Sequence, residues 1–125
     1  MPHKILIVED NENNRCLFRD ILTIHGYEVS VAVDGQEGVA LARELMPDLI
    51  LMDIQMPSMD GMTANGILKN DPATSGLKTI ALTSFAMQGD QEKFLAAGFD
   101  GYLSKPINTR ELPVLMKQWL KEEQL

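Results

Sequence analysis

The sequence has a single cysteine, no long apolar run and no excess of positive charge. With Cys16 alone, an intrachain disulfide and a cysteine metal cluster are both excluded, and a quiet packed thiol is expected. The longest apolar runs, such as residues 49–52, fall far short of the ~18 residues that a membrane span requires. The apolar stretch at 5–8 ends at once in Glu9 and Asp10, so no secretory signal is legible. Eleven Lys and Arg stand against 18 Asp and Glu, a net charge of −7, with no basic stripe to meet a nucleic acid. Internal repeats, linkers and low-complexity segments are also missing. These absences lead us to expect a soluble, cytoplasmic protein whose partners are neither nucleic acid nor membrane.

What is present fits one globular domain. The chain has 125 residues, 45% of them hydrophobic and 23% charged, which is neither disordered nor membranous. A domain of this size buries roughly two-thirds of its unfolded surface and needs no staples. One domain over residues 1–125 with no output domain is expected, because little chain follows the fifth helix.

Short apolar runs closed by polar turns predict strands at 4–8, 27–33, 48–53, 79–83 and 101–104. Helical periodicity fills the gaps between them. Leu17, Ile21 and Ile24 share a face of the first helix, which Gly26 stops. Asp34 is a plausible cap for a second helix carrying Val39, Ala42 and Met46. Ala64, Ile67 and Leu68 mark a third, closed by Asn70-Asp71-Pro72. Phe94 and Ala97 lie on a fourth that ends at Gly98, and Leu112, Leu115, Met116 and Trp119 on a fifth. Strict alternation of strand and helix implies an α/β fold, a parallel sheet with helices on both faces and right-handed connections.

Three positions break local rules. Gly38 costs the second helix roughly 0.5–1 kcal/mol, and Gly66, in the turn dipeptide Asn65-Gly66, costs the third about 1 kcal/mol. The third helix is therefore expected to be the least stable. Pro113 would kink the fifth helix if Asn108 caps it, unless the helix starts later.

The polar residues of interest all stand at carboxyl ends of strands. Glu9 and Asp10 follow the first, Asp53 ends the third, Thr83 ends the fourth and Lys105 follows the fifth. In an open α/β sheet the ligand crevice lies outside those ends. Three carboxylates gathered there would repel by about 4 kcal/mol per pair at 4 Å and an effective dielectric of 20. A hard divalent cation offsets this, and Mg²⁺ favours one or two carboxylates with water and phosphate oxygens. Zn²⁺ prefers His or Cys, and neither His3 nor His25 is well placed. A carboxylate beside Mg²⁺ can attack phosphorus to give an aspartyl phosphate. Asp53 is the best nucleophile, since it directly follows an apolar strand, whereas Glu9 and Asp10 sit together as a metal-holding pair. Taken singly, each residue has an ordinary reading: a turn aspartate, a strand threonine, a solvated lysine. Their shared position overrides it. Met52, Met56, Met59, Met62 and Met87 are read mainly as core and loop filling.

The runs Ile5-Leu6-Ile7-Val8-Glu9-Asp10-Asn11, Asp48-Leu49-Ile50-Leu51-Met52-Asp53-Ile54-Gln55-Met56-Pro57, Met59-Asp60-Gly61, Ala81-Leu82-Thr83 and Lys105-Pro106-Ile107 resemble the receiver domains of two-component signalling. They come in the right order and span essentially the whole chain. The acidic start, with Asn14-Arg15 following, is similar to single-domain cell-division receivers and to receivers of hybrid kinases. The resemblance implies a flavodoxin-like, five-stranded sheet of order 2-1-3-4-5. It implies Asp53 as the phosphorylated residue and Glu9, Asp10, Asp53 and the Gln55 carbonyl as ligands of Mg²⁺, with Mn²⁺ as a substitute. Thr83 matches the switch hydroxyl, Lys105 the phosphate-contacting lysine, Tyr102 the switch aromatic, and Pro106 a proline preceded by a cis bond. A half-buried structural aromatic is the plain alternative for Tyr102. The implied phosphodonor is a sensor histidine kinase or a histidine phosphotransfer protein. A downstream protein target would read the face made by the fourth helix, fifth strand and fifth helix. The implied chemistry stops at self-phosphorylation and slow self-dephosphorylation, so the protein is not an enzyme on other substrates. Ser84 and Gly38 depart from the small apolar residue and the alanine usual at their positions.

Three rival functions fit less well. A haloacid-dehalogenase-type phosphatase places a second Asp two residues after the nucleophile, where this chain has Gln55. A flavodoxin-like electron carrier needs hydroxyl-rich phosphate turns, where this chain has Glu9-Asp10-Asn11-Glu12. A receiver-shaped scaffold that takes no phosphate would not need all five polar residues.

Overall fold

In the computed structural model the chain alternates strand and helix five times. The elements are β1 (Lys4–Val8), α1 (Glu12–Ile24), β2 (Glu28–Ala32), α2 (Gly35–Leu45), β3 (Leu49–Asp53), α3 (Gly61–Asn70), β4 (Lys78–Thr83), α4 (Asp90–Ala96), β5 (Gly101–Ser104) and α5 (Glu111–Leu120). The structure describes residues 3–56, 59–84 and 90–120; Pro57 and Met87 lie outside them. The strands form one sheet of order β2-β1-β3-β4-β5, and every pairing is parallel. Among the described residues no helix is long and apolar enough to cross a membrane.

Both faces of the sheet are covered, so the central strands are apolar on both sides. Leu6, Val8, Ile50, Met52 and Ala81 pack with Val39 and Ala42 of α2, Ala64 and Leu68 of α3, and Phe94 of α4. The alternate residues Ile5, Ile7, Leu49, Leu51, Ile80 and Leu82 pack with Phe18 and Leu22 of α1 and Leu112 and Met116 of α5. This period of two along each strand divides the core into two layers. Met52 and Met56 are buried, and Met59 and Met62 pack against the first layer.

Of the α1 face read from the sequence, Ile21 packs partly against the second layer, but Leu17 and Ile24 do not. Phe18 and Leu22 are buried, whereas Leu17 is 42% and Ile24 82% exposed. Two apolar stripes run along this helix, and the one with Phe18 and Leu22 meets the sheet. Tyr27 also moves out of the second strand. Gly26 adopts φ 92, and the Tyr27 N–H turns back to Leu22 O at 3.1 Å, closing the helix rather than extending β2. Val33 leaves β2 because its N–H goes to Glu37 Oε1 at 2.9 Å, while Asp34 caps α2 by accepting from Glu37 N at 2.8 Å. Met46, counted above as part of the α2 face, is its left-handed C-cap and is 47% exposed.

Asn108 does cap the turn before α5, its Oδ1 accepting from Arg110 N at 2.9 Å. The regular helix starts at Glu111, so Pro113 falls within its first turn, where backbone donors lack partners inside the helix. Gly38 also gains a reason. A Cβ there would stand 2.8 Å from Val8 Cγ2, so the missing side chain lets α2 lie close on β1.

Candidate functional site

Asp53 closes β3, pairs across with Leu82 of β4, and is 3% exposed. Its Oδ1 accepts from the Gln55 N–H at 2.9 Å, and its Oδ2 from Lys105 Nζ at 2.9 Å. Glu9 follows β1 and extends that strand's pairing by one step, its N–H reaching Ala32 O at 3.1 Å. Its side chain is fully buried; Oε2 accepts from Asn11 N at 3.3 Å, and Oε1 lies 2.7 Å from Lys105 Nζ. Lys105 thus stands between the two carboxylates. Its own backbone N–H donates to Thr83 O at 2.7 Å, and the Lys105–Pro106 peptide bond is cis.

At the start of α3, Gly61 lies close against the backbone of Asp53 and Ile54. Gly61 N donates to Ile54 O at 3.3 Å, and a Cβ on Gly61 would meet Asp53 O at 2.4 Å. No side chain fits there. Asp60, one residue earlier, caps α3 by accepting from Thr63 N at 2.8 Å.

Electrostatics at the site follow from this burial. Glu9 is pushed up to about 7, first by desolvation and then by its contact with Asp53, with Lys105 opposing both. Burial also disfavours charge on Lys105, but Glu9 and Asp53 outweigh that and raise its pKa. One ammonium is too little charge for this carboxylate group. Glu9, Asp10 and Asp53 each offer an oxygen, and these oxygens lie within 4.8 Å of one another. Asp10 is the exposed member, on the solvent side of the cluster. An all-oxygen set of this kind, short of positive charge, suits a hard divalent cation and offers no nitrogen or sulfur for zinc.

The remaining residues singled out above take these places. Thr83 is buried at the end of β4 and pairs with Ser104. Gln55 is exposed beside Asp53. Tyr102 lies on β5 opposite Ala81, two residues back from the level of Thr83, and is half-buried. Its ring centroid is 6.0 Å from that of Phe94 on α4. Glu9, Asp53 and Lys105 therefore touch, Asp10 and Thr83 adjoin them, and Tyr102 links the neighbouring strand to α4. A cleft of about 440 Å³ opens beside Lys105, lined by Asn14, Leu17, Phe18, Ser84, Pro106 and Ile107.

Sequence reasoning gave no role to Arg15. Its Nη1 donates to Glu9 O at 2.9 Å and to Asp10 O at 3.0 Å. The available signal was position: a lone arginine within the first turn of the helix that follows the acidic pair.

Comparison with known proteins gives one consistent result. A family model described as the response regulator receiver domain matches residues 5–117. The polar-differentiation response regulator DivK of Brucella anthropi is 44% identical over 120 residues, covering 96% of this chain and 98% of that protein. The receiver domain of sensor histidine kinase PA1611 from Pseudomonas aeruginosa, solved with magnesium in its active-site cleft, superposes with a TM-score of 0.88. It is 36% identical, and the match covers 97% of this chain and 99% of that one. A chain from the co-crystal structure of the Saccharomyces cerevisiae phosphotransfer protein Ypd1 with the receiver domain of Ssk1 gives a TM-score of 0.90 at 30% identity. That match covers 99% of this chain and 92% of the other.

Proposed function

This chain belongs to the response-regulator receiver family, and from that premise we propose that it accepts a phosphoryl group on Asp53 and thereby changes the surface it offers a protein target. The observation that carries the assignment is the contact of one buried strand-end carboxylate, Asp53, with Lys105 on one oxygen and a backbone N–H on the other. The donor is a sensor histidine kinase or a histidine phosphotransfer protein of the cytoplasm. The Ypd1–Ssk1 complex supports this class of partner, because its receiver shares the fold.

In the transfer, an Asp53 carboxylate oxygen attacks phosphorus, a new O–P bond forms, and the donor's bond to phosphorus breaks. Glu9, Asp10, Asp53 and the Gln55 carbonyl would hold Mg²⁺, or Mn²⁺ in its place. When bound, the cation would supply neutralising charge for the phosphoryl oxygens. Lys105 brings a fixed positive charge to the same group, and its ammonium is held in place by Glu9 before the phosphoryl arrives. The Thr83 hydroxyl, at the next strand end, takes one of the new oxygens. The chemistry is confined to the protein's own phosphorylation and its slow reversal.

Labelling tests the assignment. Asp53→Asn is nearly isosteric, so the variant should fold, keep its thermal midpoint to within a few degrees and take no label from acetyl phosphate. A stable label on Asp53→Asn places the acceptor elsewhere.

A further inference from the structure

We propose that Arg15 is a positioning residue for the metal: by holding the carbonyls of Glu9 and Asp10 it sets the turn that presents their two carboxylates. The inference rests on the reading of that pair as metal ligands. One nitrogen of the guanidinium, Nη1, donates to both carbonyls, at 2.9 and 3.0 Å. The two acceptors belong to consecutive peptide units, so the backbone is held on either side of the Asp10 Cα. The Glu9 side chain is buried and fixed by its own contacts, but Asp10 is exposed. Asp10 therefore depends on the backbone for its direction.

Arg15 is itself set by α1. Asn11 caps that helix, its side chain accepting from Asn14 N at 3.0 Å, and Arg15 N donates to Asn11 O at 3.0 Å. The helix start, the guanidinium and the acidic turn thus close a ring over residues 9–15. Both bonds come from one guanidinium nitrogen, whose two N–H groups point in fixed directions within a rigid plane; a lysine ammonium on a flexible stem lacks that fixed direction.

Charge and geometry make opposite predictions for removing this residue. An arginine near a cation site repels the cation, so its loss by charge alone would tighten binding. If Arg15 orients the ligands instead, its loss weakens binding, and outer partners of metal ligands typically contribute about 10–100-fold in affinity. The sign of the change decides.

The experiment titrates Mn²⁺ into the full chain and reads free Mn²⁺ by electron paramagnetic resonance, for wild type, Arg15→Ala, Arg15→Lys and Asp10→Asn. Arg15→Ala should weaken Mn²⁺ binding about tenfold or more. Arg15→Lys should weaken it less, as partial rescue. The metal concentration needed for half-maximal labelling by acetyl phosphate should rise in parallel, while the rate at saturating metal falls much less. Equal or tighter Mn²⁺ binding by Arg15→Ala overturns the proposal. If Arg15→Ala fails to give a cooperative thermal transition, Arg15→Lys decides: weaker binding supports the proposal, and wild-type binding overturns it. Wild-type binding by Asp10→Asn would instead show that the acidic pair holds no metal, which removes the reading beneath the proposal as well.

Discussion

Lys105 Nζ lies 2.9 Å from Asp53 Oδ2, across 52 residues of sequence. The same ammonium is 2.7 Å from Glu9 Oε1, so one cation serves two buried carboxylates. Without a metal this is an under-neutralised group. Its energetic consequence falls on Glu9, the fully buried partner.

Glu9 therefore makes metal-free stability depend on pH. Its pKa rises from 4.5 to about 7 on folding. Between those values the folded protein holds more proton on Glu9 than the unfolded chain does, so stability falls as pH rises through the window. Glu9→Gln removes the charge. In chelator the variant should match or trail the wild type near pH 4.5 and exceed it at pH 8, by on the order of 1–3 kcal/mol. Urea unfolding of both proteins across that range measures the difference. A constant difference from pH 4.5 to 8 would show that Glu9 does not titrate in the window.

Glycine spacing gives a prediction in which helix propensity points the wrong way. Gly38→Ala should gain about 1 kcal/mol in an ordinary helix. Here the new Cβ would stand 2.8 and 2.9 Å from the two stiff methyls of Val8, and overpacking of that kind costs about 1–3 kcal/mol. A net loss is expected. Gly61→Ala should be worse, at more than about 3 kcal/mol, because its Cβ meets the Asp53 backbone and not a side chain that can turn. Denaturant midpoints rank the two variants, and a stabilised Gly38→Ala would show that α2 can shift freely on β1.

Thr83 and Tyr102 are proposed as the route from site to surface. Thr83 is buried beside the acceptor, and the Tyr102 ring rests near Phe94 of α4. Drawing the Thr83 hydroxyl toward a phosphoryl oxygen vacates space that Tyr102 can enter, which changes the face made by α4, β5 and α5. Beryllofluoride should bind both wild type and Thr83→Ala. The ring resonances of Tyr102 and Phe94 should shift with it in the wild type alone. A coupling on the order of 1–3 kcal/mol is enough for this, and the free protein should then already sample the second arrangement. Equal shifts in Thr83→Ala would remove Thr83 from the route.

Much of this protein is legible in its amino-acid order. Buried parallel strands read as apolar runs, each polar site residue stands at the end of one, and turn residues such as Asp34 and Gly26 act over a few positions. These are local signals, and they were sufficient for element order, sheet class and the gathering of Glu9, Asp10, Asp53 and Lys105 at the strand ends.

Other features belong to the tertiary structure because their partners are distant or carry no side-chain signature. Both stripes of α1 are apolar, and only contact with the sheet decides that Phe18 and Leu22 go inward while Leu17 and Ile24 stay in solvent. Arg15 binds carbonyl oxygens, which every residue possesses, so the sequence does not mark its partners. Gly38 and Gly61 look like weak helix formers until Val8 and the Asp53 backbone are seen pressed against them. Periodicity places a residue on a face, but which surface that face meets, and at what distance, depends on the packing of the whole chain.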